Sequence, residues 1–216
     1  MIATDPPGTV RVEVMWGRYP YQPSEPDRDP GGSEGEGVPP WLQERLFDRR
    51  MVMLTGVLNG PAASHTAAAL VTLDAIGADP VHLHVTSTDG ELSAAFAVVD
   101  AIESMHAPVE VVVPSQVGGA ALAVLAAASR RLAYPHARVR LAEPRTNMAA
   151  GTAEKVAAAA GEYLRELEEL IVRLADITKT PRSRVEDDLA AGRILSAVEA
   201  KEYGLIDEIV GSGRGS

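Results

Sequence analysis

The chain has 216 residues and a formal net charge of −10, with 46% apolar residues, only 4% aromatics and no cysteine. That size suits one well-packed core, while the absence of cysteine excludes disulfides, thiolate metal sites and a cysteine nucleophile. The acidic balance opposes binding to nucleic acid or an anionic membrane, since phosphate contacts need an excess of Lys and Arg.

The segment Met1–Pro7 has neither a basic start nor an apolar core, so no secretory signal is expected and the chain is expected to be cytoplasmic. No apolar run approaches the roughly 20 residues of a membrane span. Thr9–Met15 alternates apolar and polar residues, which predicts a short strand or hairpin arm. Gln22–Pro40 is rich in proline, glycine and acids and cannot bury enough surface to offset chain entropy, which predicts a loop. The expected organisation is an arm over 1–40, a folded domain over 41–211 and a short tail over 212–216.

From Met51 onward, short apolar runs alternate with longer helical patterns. Strands are predicted at Met51–Val57, Val81–Val85, Val109–Val113, Leu132–Tyr134 and Val139–Leu141. Helices are predicted at Ala62–Ile76, Glu91–Met105 and Gly118–Arg130. This pattern is that of an α/β domain with stacked β-α-β units, whose continuous apolar strands form a parallel sheet covered on both faces. A long helix is predicted over Thr152–Ile177, with Leu164, Leu167, Leu170, Ile171 and Leu174 as one stripe and a small-residue start at Ala157–Gly161. Such a helix, longer than a core requires, is expected to protrude and meet a neighbour. Pro181 opens a further helix through Ala191. Ser196 and Glu199 are spaced as a capping box, for a short helix ending at Gly204 ahead of a closing strand, Leu205–Val210.

The chemistry is concentrated at Val109-Glu-Val-Val-Val-Pro-Ser-Gln-Val-Gly-Gly-Ala-Ala, where a strand enters a glycine turn that opens a helix. Several hydrolase families present a nucleophilic hydroxyl on such a turn. Here the turn carries Gly118 and Gly119, which have no side-chain chemistry. Ser115, four residues earlier, is the substitute hydroxyl, but no base is spaced beside it. His82 and His84 share one face of a strand, with no carboxylate or third imidazole spaced to join them as metal ligands. His65, His106 and His136 fall at helix ends or in a turn. Glu143 is a lone carboxylate without an evident partner, and the acids of Glu162–Glu169 read as a solvated helix face with intrahelical pairs. No metal or other cofactor is expected.

The chain resembles the proteolytic subunit family of the Clp protease over about residues 41–211. The closing stretch Ser196-Ala-Val-Glu-Ala-Lys-Glu-Tyr-Gly-Leu-Ile-Asp-Glu-Ile-Val carries most of the likeness, with Leu46-Phe-Asp-Arg-Arg-Met-Val-Met-Leu-Thr-Gly at the entry. Ser87-Thr-Asp-Gly is similar to the family's Ser-Pro-Gly-Gly turn, Ser115-Gln-Val-Gly-Gly-Ala-Ala to its nucleophile turn, and Leu141-Ala-Glu-Pro to the strand end that carries its histidine. The resemblance implies a Clp/crotonase-type fold with a protruding handle helix.

It also implies where a Ser-His-Asp triad would fall. The nucleophile falls on Gly119, the base on Ala142 and the acid on Asp188, so only the acid is retained. The oxyanion donors fall on the backbone N–H groups of Asp89 and Ala120, and the Asp89 carboxylate is expected to oppose charge developing there. The family's ring-pairing arginine, just before the triad acid, is replaced by Asp187. The resulting expectation is a catalytically inactive subunit, structural or regulatory, in a Clp-type ring. Its partners would be itself or paralogues in a heptamer or tetradecamer, together with an AAA+ unfoldase. The alternatives are an active endopeptidase using Ser115, a crotonase-like acyl-CoA binder, and a standalone scaffold that holds extended peptides.

Overall fold

A computed structural model describes residues 39–145 and 151–211 of the chain. The predicted arm strand at Thr9–Met15, residues 22–38 of the predicted loop, the tail and residues 146–150 lie outside the described residues.

The domain begins with a helix that periodicity did not predict, α1 (Pro40–Asp48), with proline in its first turn. The sequence reading ran its loop through Pro40, but a proline there lacks only an N–H that has no intrahelical partner anyway. The main sheet follows as β1 (Met51–Thr55), β2 (Val81–Thr86), β3 (Val109–Val113), β5 (Arg130–Ala133) and β8 (Glu208–Ile209), all parallel and in that spatial order. Between them run α2 (Gly60–Ile76), α3 (Leu92–Ser104) and α4 (Ala121–Ala127). Asn59 sets the start of α2, its side-chain oxygen accepting the Ala62 N–H at 3.0 Å.

A second, three-stranded sheet explains where sequence and structure part. It comprises β4 (Gln116–Gly118), β6 (Arg138–Arg140) and β7 (Ile194–Ser196), with β4 parallel and β7 antiparallel to β6. Gln116–Gly118 is therefore strand, and the helix predicted to start at Gly118 is confined to Ala121–Ala127. A Cβ on Gly118 would lie 2.7 Å from the Arg140 carbonyl oxygen, so the strand approach needs glycine. The α4 residues Ala121–Leu125 are all fully buried, so this helix has no amphipathic pattern to mark its ends. The predicted closing strand shortens to Glu208–Ile209.

The long helix, α5 (Ala153–Thr178), has 26 residues with Thr152 as its N-cap. Only Leu170, Ile171 and Leu174 are buried, and Leu164, predicted within the apolar stripe, is 61% exposed. α6 (Arg182–Ala191) follows, then α7 (Ala197–Tyr203), whose capping box has both reciprocal bonds and whose C-cap is Gly204 at φ +91°. The seven helices of the described residues flank a mostly parallel sheet. Coverage of its two faces is unequal: β2 alternates fully buried Val81, Leu83 and Val85 with half-buried His82, His84 and Thr86.

Candidate active site

The turn that opens α4 lies between two chain segments, the first of which bonds to it. The first wall is the run Ser87–Gly90 after β2. The Ser87 carbonyl accepts the Gly118 N–H at 2.9 Å, the Asp89 carbonyl accepts the Leu58 N–H at 3.0 Å, and the Ser87 hydroxyl donates to that same Asp89 oxygen at 3.1 Å. Gly90, at φ +155°, packs so close that a Cβ would sit 2.5 Å from the Leu58 oxygen. The second wall is Leu141–Arg145, after β6. Leu141 N–H donates to Arg193 O at 2.8 Å, and the Tyr163 hydroxyl of α5 donates to Pro144 O at 2.8 Å.

Gly119 lies between these walls at φ +55°, a conformation that L side chains rarely adopt. A Cβ built on it would be 3.2 Å from the Thr88 carbonyl oxygen and 4.0 Å from Pro144 Cα. The space a side chain would need is therefore bordered by a backbone oxygen that cannot swing aside like a flexible group. Ala120 follows in helical conformation, fully buried, at the N-terminus of α4. Ala142 stands half-buried on the second wall and offers a methyl group alone.

Asp89 is engaged twice. One carboxylate oxygen accepts the Gly90 N–H at 3.0 Å, and the other pairs with Arg145 Nη1 at 3.3 Å. The carboxylate expected to face developing charge is thus paired with an exposed arginine from the second wall, which nothing in the sequence pattern marked.

Asp188 is buried in α6 and far from idle. It accepts from Tyr203 Oη at 2.9 Å, from Arg184 Nε at 3.2 Å and from Arg193 Nη1 at 3.3 Å. Burial pushes its carboxyl up, but the Tyr203, Arg184 and Arg193 hydrogen bonds outweigh that and hold it below the usual carboxylate value. The same burial, with the hydrogen bond to Asp188 and its negative charge, pushes Tyr203 up to about 12. Arg193 also stacks over the Tyr203 ring, 5.7 Å from its centroid. Asp188 reaches the second wall through backbone, because Arg193 N–H donates to Asp188 O at 3.2 Å and Arg193 O accepts from Leu141. One signal for this cluster was legible: Arg184 and Asp188 stand at helical i, i+4 spacing. Arg193 and Tyr203 carried none.

The other candidates are dispersed. Ser115 Oγ lies 3.5 Å from Thr86 Oγ1, at the limit of a hydrogen bond, and no imidazole bonds it among the described residues. His65 meets Gln43 at 2.9 Å, and His106 sits 3.3 Å from Asp74, whose other oxygen accepts the His106 and Ala107 N–H groups. For His82 the expectation of no nearby carboxylate fails. Glu110 is its partner in the β2–β3 register, and the two side chains are 3.3 Å apart. Spacing along one strand cannot reveal its neighbour across the sheet. No group of three or more metal-ligating side chains occurs among the described residues. Glu143 is exposed, and its charge adds to the burial that raises Tyr163.

As an acyl-transfer site the arrangement keeps a helix N-terminus, a sharp turn and two flanking walls, and offers neither an attacking oxygen nor a proton acceptor at Gly119 and Ala142. Comparison with known proteins bears on its origin. The family model for Clp protease matches residues 39–213. ATP-dependent Clp protease proteolytic subunit 2 of Streptomyces coelicolor is 30% identical over 169 residues, 77% of this chain and 78% of that protein. Proteolytic subunit 4 of Streptomyces avermitilis is 30% identical over 169 residues, covering 77% of this chain and 75% of its own length. Proteolytic subunit 1 of Thermobifida fusca is 28% identical over 169 residues, covering 77% and 76%. Since that model spans most of the chain and relatives 30% identical cover more than two thirds of it, this chain belongs to the Clp protease family.

Proposed function

We propose that the chain is a non-catalytic subunit of a Clp-type peptidase ring, structural or regulatory in role. One observation carries this reading. The nucleophile position is Gly119, hemmed by the Thr88 carbonyl 3.2 Å from where a side chain would begin, and the base position is Ala142. The acid Asp188 is committed to Arg184, Arg193 and Tyr203, so a displaced histidine would have to compete with two guanidinium groups for it.

The exposed first half of α5 supports assembly with further subunits, either copies of this chain or active paralogues, in a heptamer or a stacked tetradecamer. An AAA+ unfoldase is a further partner on this reading, and the cytoplasm the place of action. Among the described residues no helix is long and apolar enough to cross a membrane. The Ser115 reading gains no base from its surroundings.

The test combines purified chain, fluorogenic peptides and an active paralogue. The expected result is no turnover by the chain alone and a measurable change in the paralogue's activity, with one mixed ring in intact-mass measurement. Turnover by the chain alone, abolished by Ser115→Ala, would overturn the proposal.

A further inference from the structure

Three cavities adjoin one another through shared lining residues. One of about 340 Å³ runs from Gly56 to Ser115 and is bounded by Asp89. The next, about 290 Å³, lies between Val57 and Arg145 and shares Asp89 with the first. The third, about 270 Å³, reaches α5 at Glu162 and Tyr163 and shares Arg145 with the second. Asp89 with Val57 borders the first two cavities, Arg145 with Glu91 borders the last two, and Asp89 and Arg145 are bonded to each other at 3.3 Å.

We propose that the Asp89–Arg145 ion pair is a strap that closes the groove, dividing one peptide-length channel into short cavities. An extended chain runs from the first cavity to the third only when the pair opens. Both walls are anchored independently of the strap: Asp89 by the Leu58 N–H and its own bond to Gly90, the second wall by Tyr163 and by the Leu141–Arg193 bond. Opening the pair therefore requires only rotation of the Arg145 side chain, which is 81% exposed. An exposed pair of this kind is weak and screened by salt, which makes it a device that a ligand or the ionic environment can release. Because Asp89 and Arg145 belong to one chain, the strap does not depend on assembly into a ring.

The experiment measures polarisation of a dye-labelled, unstructured peptide without charged side chains, bound to the full-length protein. For the unaltered protein, affinity should rise as salt goes from about 0.01 M to about 1 M, where the screening length falls from about 30 Å to about 3 Å. At low salt Arg145→Ala and Asp89→Asn should each bind about two- to five-fold more tightly, with that salt response lost. Asp89→Asn keeps an oxygen for the Gly90 N–H. The double variant should bind no better than either single one, because both remove the same contact. Equal affinities and equal salt responses in all four proteins would overturn the strap, as would absence of peptide binding by all of them. Intact-mass measurement reports on ring assembly separately, so the two proposals fail on different readouts.

Discussion

At the scale of single residues, Gly119 carries the proposed loss of catalysis. Its φ of +55° costs a non-glycine residue about 1–2 kcal/mol, and the Thr88 oxygen at 3.2 Å must yield by a few tenths of an ångström before any Cβ fits. Gly119→Ser should therefore lower the denaturation midpoint without restoring turnover, because Ala142 still supplies no base. Fluorogenic peptide cleavage, with a fluorophosphonate probe for an activated serine, checks this, and rapid labelling of the new serine would contradict it. That Gly119 and Ala142 bring no hydroxyl or imidazole was legible in the sequence, since it is a matter of residue type alone. The fate of the surviving groups was not. Asp188 finds Tyr203 fifteen positions away, and Asp89 finds Arg145 from the far wall, pairings created only when β6, α6 and α7 converge.

At the scale of elements, the strands with continuous apolar runs appeared almost where expected, with Val109–Val113 matching at both ends. Errors gathered where burial is complete or an element is very short. The first five residues of α4 are all buried and β4 and β7 have three residues each, so neither period could assert itself. α1 was missed because Pro-Pro reads as a breaker until the first proline is seen to be an N-cap. The cluster around Asp188 joins α6, β7 and α7, which yields a prediction with a definite sign. A carboxyl held below its usual value adds stability that is present above the unfolded-state value, about 3.9, and is lost as pH falls through the lower folded-state value. Asp188→Asn should cost about 2 kcal/mol near neutral pH, because two arginines and a tyrosine lose a charged acceptor. Its chemical-denaturation curves should also lose part of the acid dependence expected of the unaltered protein below about pH 4. An unchanged midpoint and acid profile would remove Asp188 from this role.

At the scale of the whole molecule, α5 is packed along only part of its length. From Ala153 to Arg165 no residue is fully buried, whereas Leu170, Ile171 and Leu174 are sealed in the core. An isolated helix shorter than about 12–15 residues is marginal in water, and most helical stability in proteins comes from packing one face. The first three and a half turns therefore depend on whatever lies beside them. In a dilute subunit, amide protons of 157–165 should exchange with deuterium far faster than those of 170–177. A neighbour seated along the helix should slow the first group to nearly the pace of the second. If subunits assemble as proposed, the order of this segment becomes a gauge of their concentration, frayed in free chains and wound tight in gathered ones.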